Sequence, residues 1–493
     1  MAARPAKLKV ALGSPLRPPE AAAHVCLEVT DNSTSRYSAA EFFGLRKLRD
    51  SSGAAARMAT QFIEMNRRIT ERMGVGIEAA YDGRSVDLLL HAGNNVGAVP
   101  LASPSSARPD YGLIVQPRFP WAGIGPMLAT MGWRVTPTPL RLPLLRRSER
   151  RVPAWVLSAT VLLRLEALLK SLDRRFEMET ENRATPKGQV NWAQYAIRSL
   201  ARAQPLAVPC SFPDLSDDRQ LRGAIRCALE KQLQSLSTQV SHGAFVHRLI
   251  ELASDLLRLV GPVPALPPSA ARLQAWLQRP LRTTAFLDGL KGIEWTVDDR
   301  GLAGLSDLDG LPWSMPMDAF FEAWVETVAQ AVARQTGGVI RTGREGQTER
   351  ALDWQPRFLG SQRSLIPDVW LEWGNFTLIV DAKYKRHFEE FSDRGWRAAE
   401  DELRERHRQD LLQVLAYANL CRTPRVAACL VYPCSPETWR SLVARGRALH
   451  RAAIPTAGRA ISVWLTAMPM TGAVNESAEH LTRYVQAERA HAA

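Results

Sequence analysis

The stretch Leu365-Ile-Pro-Asp-Val-Trp-Leu-Glu-Trp-Gly-Asn-Phe-Thr-Leu-Ile-Val-Asp-Ala-Lys-Tyr-Lys385 decides how the last third of the chain folds. Gly374-Asn375 stands between two runs rich in β-branched and aromatic residues, the pattern of a tight hairpin. A two-residue loop pairs Trp373 with Phe376 and, counting outward, Asp368 with Asp381, with Cβ atoms roughly 5 Å apart. Alternation then puts Val369, Leu371, Trp373, Leu378, Val380, Ala382 and Tyr384 on a core face. Asp368, Trp370, Glu372, Thr377, Ile379, Asp381 and Lys383 fall on the other. Two opposed carboxylates repel each other. A hard divalent cation between them resolves the conflict, because Mg²⁺ takes carboxylate oxygens and waters as ligands.

Lys383 lies two residues beyond Asp381 on the same face. Only nine of the 63 basic residues are lysine, so lysines at both 383 and 385 stand out in a chain that otherwise writes arginine. A compact ammonium suits water activation or stabilisation of charge on a phosphate, and unlike a guanidinium it can be deprotonated.

Pro367-Asp368, twelve intervening residues and Asp381-Ala-Lys383 resemble the signature of the PD-(D/E)xK nuclease superfamily. In Arg408-Gln-Asp-Leu-Leu-Gln-Val-Leu-Ala-Tyr-Ala-Asn419, the pair Gln413 and Tyr417 resembles the Gln-x-x-x-Tyr motif of its RecB-like branch. Asp410, Gln413 and Tyr417 share one helical face. Upstream, Asp318-Ala-Phe-Phe-Glu-Ala-Trp-Val325 reads as the start of a helix with Asp318 as N-cap. Its Glu322 resembles the acidic helix residue that completes the metal site in the superfamily. More narrowly, Asp381-Ala-Lys-Tyr-Lys385, Asp410-Leu-Leu-Gln-Val-Leu-Ala-Tyr417 and Val431-Tyr-Pro433 are similar to the McrC family, the nuclease subunits of McrBC-type restriction systems. The similarity runs from about Met317 to Pro433 and extends weakly to Gly112-Leu-Ile-Val-Gln-Pro-Arg118 and Pro186-Lys-Gly-Gln-Val190.

This resemblance implies a DNA endonuclease subunit of a restriction or phage-defence complex. Asp368, Asp381 and Glu322 would hold Mg²⁺, with Mn²⁺ able to substitute, and Lys383, Gln413 and Tyr417 would complete the catalytic set. It also implies an McrB-like AAA+ NTPase partner that reads the modified base. The chain carries no Gly-x-x-x-x-Gly-Lys-Ser/Thr and is not itself such a motor. Two other functions stay open: a non-catalytic adaptor that stimulates an AAA+ ring, and a stand-alone RecB-like nuclease.

The rest of the chain sets bounds. Its 493 residues, 46% hydrophobic and 23% charged, suit a multidomain globular protein. The longest apolar run, Trp155 to Leu163, is far short of the roughly 20 residues of a membrane span, and Met1 to Glu20 holds no signal-peptide core. We therefore expect a soluble, cytoplasmic protein with no membrane contact. Six cysteines without zinc-ligand spacing read as buried free thiols. The net charge of +13 favours a polyanionic partner. Arg134, Arg141, Arg146, Arg147, Arg150 and Arg151 form a basic run against one acid, Glu149, fit for DNA phosphates, an acidic partner or a solvated loop.

Three regions are expected. Residues 1–152 read as a mixed, β-leaning domain for partner docking or DNA contact, with a helical run from Ala39 to Met73. Strands are expected near Ser85–His91 and Tyr111–Pro117, with joints at Pro100–Pro109 and Pro117–Pro126. Residues 153–310 read as mainly helical over Val156–Phe176, Trp192–Ala203, Gln220–Leu236 and Phe245–Leu259, with joints at Gly261–Ser269 and Asp307–Pro316. Residues 311–493 read as an α/β nuclease core, a mixed sheet flanked by helices.

Overall fold

The computed structural model describes residues 25–490 apart from 46–50, 84, 141, 143–152, 173–174, 217–218, 279–282, 299–300, 303–309, 359, 386–400 and 457. Of the arginine run, Arg141, Arg146, Arg147, Arg150 and Arg151 lie outside the described residues, as does the segment Met1 to Glu20.

The last third is a mixed α/β layer structure. Its six-stranded sheet runs in the order Val339–Thr342, Val369–Trp373, Phe376–Ala382, Arg425–Cys434, Arg459–Pro469, Leu449–Thr456. Phe376–Ala382, Arg425–Cys434 and Arg459–Pro469 are mutually parallel, and the other pairs are antiparallel. The parallel strands are buried on both faces, which is why Val426 to Val431 reads as an unbroken apolar run rather than an alternating one. On one face Val369, Leu371, Val380 and Val431 share a core with Phe320, Trp324 and Val328 of the helix Met317–Thr336 and with Leu481 and Val485 of the helix Val474–Ala490. On the other, Trp370, Ile379 and Leu430 pack with Val414 and Tyr417 of the helix Asp401–Ala418 and with Trp439 of the helix Pro436–Ala444.

The hairpin register agrees with the count from its loop: Val369 pairs with Val380 and Trp373 with Phe376. Gly374 has φ +59° and Asn375 does not share a positive φ, the φ pattern of a type II′ turn, which asks for glycine at its first central position. The helix Met317–Thr336 begins two residues earlier than an N-cap at Asp318 implies. Pro316 stands at the N-cap position without a side-chain hydrogen bond, and Asp318 lies in the first turn, where an acid complements the helix dipole.

The N-terminal region holds two sheets. Thr34–Ser38, Ser85–Ala92 and Val75–Asp82 form an antiparallel one that packs with the helix Ser51–Arg72. The expected helical run from Ala39 is interrupted: a short helix, Ala39–Phe42, ends ahead of Gly44, whose φ is +71°. The second sheet runs Val25–Thr30, Tyr111–Gln116, Asn95–Leu101, Trp313–Pro316, Thr138–Pro139. The fourth strand corrects the expected joint at Asp307–Pro316, since from residue 310 onward the chain forms strands and re-enters the N-terminal sheet. Gly97 permits this. Its φ is +152°, and a Cβ there would stand 2.2 Å from the Trp313 carbonyl oxygen. Pro117–Pro126 is likewise only partly a joint, because Trp121–Thr130 is a helix that contains Pro126.

Between these regions the helices Trp155–Ser171, Arg219–Ser237, Ala244–Val260 and Thr284–Val297 pack together. The expected helix over Val156–Phe176 stops at Ser171, and Phe176 belongs to the strand Arg175–Arg183, which pairs with Val208–Ser216. The expected helix over Trp192–Ala203 is a chain of short α, π and 3₁₀ turns. One contiguous core runs from Val96 in the N-terminal sheet through the helices to Val485. Among the described residues no helix is long and apolar enough to cross a membrane. None of the six cysteines, all of them described, is in a disulfide; four are buried as expected, while Cys26 and Cys227 are half-buried.

Candidate active site

Asp368 lies immediately before the strand Val369–Trp373, at the edge of the hairpin. Its backbone is pinned by the Gly343 N–H, donated to its carbonyl (2.8 Å), and the preceding Pro367 carbonyl accepts from the Thr348 hydroxyl (2.6 Å). Its carboxylate reaches across the hairpin, where Oδ2 accepts the Ala382 N–H at 2.7 Å. Asp381, the penultimate residue of the facing strand, is 2% exposed.

Both aspartates titrate above the usual carboxylate range. Burial is the main cause for Asp368, reinforced by the negative charges of Asp381 and Glu322. Burial also raises Asp381, against the opposing pull of Lys383. Folding has gathered negative charge here without enough positive charge to match it.

Lys383 Nζ is 2.6 Å from Asp381 Oδ2 and donates to Gln413 Oε1 at 2.9 Å. Gln413 Nε2 donates in turn to the Tyr417 hydroxyl at 2.8 Å. The helix Asp401–Ala418 presents both residues one turn apart, so an i, i+4 pair becomes a continuous line Asp381–Lys383–Gln413–Tyr417. Burial works against the Lys383 charge, but Asp381, Asp368 and Asp410 outweigh it and hold the ammonium above its ordinary pKa. An ammonium held in its charged form is suited to stabilising negative charge.

Glu322 is within electrostatic reach of both aspartates, yet its Oε2 lies 3.8 Å from Arg344. Among the described residues no three His, Cys, Asp or Glu side chains are gathered into a metal-holding group. The pair Asp368 and Asp381 still fits a hard divalent ion, because both donors are carboxylate oxygens, burial and then mutual repulsion raise the Asp368 pKa, and a bound cation would offset both.

Several contacts near the site carry no signal in the sequence. Glu326, one turn after Glu322, is buried and meets Arg344 (3.4 Å) and Arg134 (3.6 Å). Lys385 Nζ binds Asp410 at 2.7 and 3.0 Å. The Tyr432 hydroxyl donates to Asp410 Oδ2 (3.3 Å), and His407 Nδ1 lies 3.2 Å from that hydroxyl. Arg344, His407 and Tyr432 come from separate elements, and no local spacing announces their meeting.

No family model and no curated protein matches the chain. Among solved structures, the chain is similar to one from the Thermococcus gammatolerans McrBC complex, at 11% identity and TM-score 0.25 over 62% of this chain and 88% of that one. It is also similar, at 13% identity and TM-score 0.39 over 94% of this chain and 99% of that one, to a chain of the half-complex from the tetradecameric assembly of Thermococcus gammatolerans McrB AAA+ hexamers with bound McrC.

Proposed function

We propose that this chain is the DNA-cleaving subunit of an McrBC-like restriction or defence complex, working with an McrB-like AAA+ NTPase. The observation that carries the reading is the line Asp381–Lys383–Gln413–Tyr417 set beside Asp368. It joins the Asp-x-Lys strand and the Gln-x-x-x-Tyr helix of the RecB-like pattern into one polar array.

Asp368 and Asp381 would hold Mg²⁺ or Mn²⁺, with Glu322 as a third carboxylate once it leaves Arg344. A bound divalent ion supplies Lewis-acid chemistry at the phosphodiester. Lys383 stabilises the extra negative charge that develops on the phosphate during attack. Gln413 fixes the direction of the Lys383 ammonium, and Tyr417 fixes Gln413. Asp410, by pairing with Lys385, keeps a second cation beside the first.

The test is cleavage of duplex DNA with Mg²⁺, with and without the co-expressed NTPase, for the wild type and Asp381→Ala. Asp381→Ala is expected to abolish cleavage while folding and NTPase binding persist. Unchanged cleavage would remove Asp381 from the site. Chelation of divalent ions is expected to stop the wild-type reaction.

A further inference from the structure

Beyond Ala382 the chain makes a tight connection, with the Lys383 N–H donated to the Val431 carbonyl and the Lys385 N–H turned back to the Lys383 carbonyl, both at 2.8 Å. Lys383 and Lys385 both reach the helix Asp401–Ala418, at Gln413 and Asp410. Tyr384 between them points the other way and is 3% exposed. Its ring meets Phe321 of the helix Met317–Thr336 at 6.1 Å between centroids and Phe119 at 6.2 Å.

A cation from just past a strand of the N-terminal sheet also faces that ring. The Arg118 guanidinium lies 4.2 Å over the Tyr384 centroid and 5.0 Å from that of Phe119. Its three nitrogens are buried and make no hydrogen bond of standard geometry among the described residues; its planar face lies over the ring, and the Tyr384 hydroxyl is within reach of both Arg118 and Asp31. Arg118 stands just past the strand Tyr111–Gln116, and its N–H is donated to Asp31 Oδ1 at 2.5 Å. Asp31, 1% exposed, follows the adjacent parallel strand Val25–Thr30, and its carboxylate acts on both Arg118 and Tyr384.

We propose that Arg118, seated by Asp31, is a positioning residue that clamps the Tyr384 ring and thereby aims Lys383 and Lys385 at Asp381 and Asp410. Across this tight connection Lys383 and Lys385 both reach the helix Asp401–Ala418 while Tyr384 packs against Phe321 and Phe119, so a ring held on one side sets the direction of both flanking lysines on the other. The N-terminal sheet therefore supports the site from behind without touching a reacting group. The geometry stands alone; its consequence for cleavage rests on the nuclease reading above. A displacement of about 1 Å at a reacting centre costs on the order of 100-fold in rate.

The scarcity of lysine supplies the test. In protein labelled with ¹⁵N only at lysine, the Lys383 and Lys385 side-chain signals are assigned from Lys383→Arg and Lys385→Arg. Arg118→Met and Tyr384→Leu are expected to shift both signals and leave the other lysines in place, whereas Tyr384→Phe, which keeps the ring, moves neither. In single-turnover cleavage with Mg²⁺ and the NTPase, the first two variants are expected to lose about 10- to 100-fold in rate with DNA affinity unchanged, and Tyr384→Phe to retain the wild-type rate. If Arg118→Met proves unfolded by circular dichroism, the contrast between Tyr384→Leu and Tyr384→Phe decides. Lysine signals unmoved in Tyr384→Leu would overturn the clamp. A wild type that cleaves no DNA would overturn the nuclease reading, while the lysine signals would still decide the clamp.

Discussion

Lys383 is gripped from two sides, by the Asp381 carboxylate and the Gln413 amide oxygen, and its side chain is only 16% exposed. Both partners grip a compact point charge, and a planar guanidinium is larger and presents its donors in a fixed fork. Lys383→Arg, although it keeps the charge, is expected to cut the cleavage step about 100-fold with DNA affinity nearly unchanged, as measured by single-turnover kinetics against a binding titration. Val380, one residue before Asp381, faces the opposite core at 2% exposure. Val380→Asp is expected to lose roughly 3–5 kcal/mol in urea unfolding, since it buries a charge with no partner, and a fully stable variant would contradict the register. That register was legible because a two-residue loop and strict alternation leave no freedom in which residues oppose each other. The deprotonatable role considered for Lys383 was not decided by its spacing, because the charge balance around it combines burial with Asp381 and Asp368 of the hairpin and with Asp410, which tertiary packing brings in.

At the scale of elements, the C-terminal helix Val474–Ala490 carries a histidine that reports on packing. His480 stacks edge-on to Trp439 and Tyr484, at 5.0 and 5.2 Å, and its Nε2 is buried without a hydrogen-bond partner among the described residues. Burial and the nearby Arg483 lower its pKa from 6.5 to about 4, with Glu476 opposing. Because the folded value lies below the unfolded one, the unfolded chain takes up a proton first as the pH falls. Stability is therefore lost between about pH 6.5 and about pH 4. His480→Phe is expected to remove on the order of 2 kcal/mol of that loss, seen as a flatter dependence of the unfolding midpoint on pH. Elements with a strong period were legible: Arg219–Ser237 and Ala244–Val260 fall close to where apolar spacing puts them. The strand Arg175–Arg183 was not, because it follows a long apolar helix and is almost wholly polar. Trp121–Thr130 was hidden by Pro126, and Trp313–Pro316 is too short to show a period and is recognisable only by its partners.

For the whole molecule, the charge of +13 is unevenly committed. Arg134, the first residue of the basic run, is already docked on the helix Met317–Thr336 through Glu326 and Gln330. If the rest of the run serves a protein partner, neutralising Arg146, Arg147, Arg150 and Arg151 together leaves the salt dependence of DNA binding unchanged and lowers stimulation of the NTPase, which is the expected outcome. Contact with DNA would instead flatten the slope of log K against log salt by roughly three units. Fluorescence titrations at several salt concentrations separate the two. The expected division into N-terminal, helical and α/β regions was read from sequence pattern, but the strand Trp313–Pro316, expected with the last region, pairs in the N-terminal sheet, and pattern says nothing of where a strand finds its mate. That crossing has a consequence for how the protein is made. As the chain leaves the ribosome, Asn95–Leu101 waits with one edge unpaired through more than 200 residues of further synthesis, until Trp313–Pro316 emerges to fill it. The same four residues lead directly into the helix that bears Glu322 and Glu326, so closing the first sheet and founding the last are one event in the history of the chain.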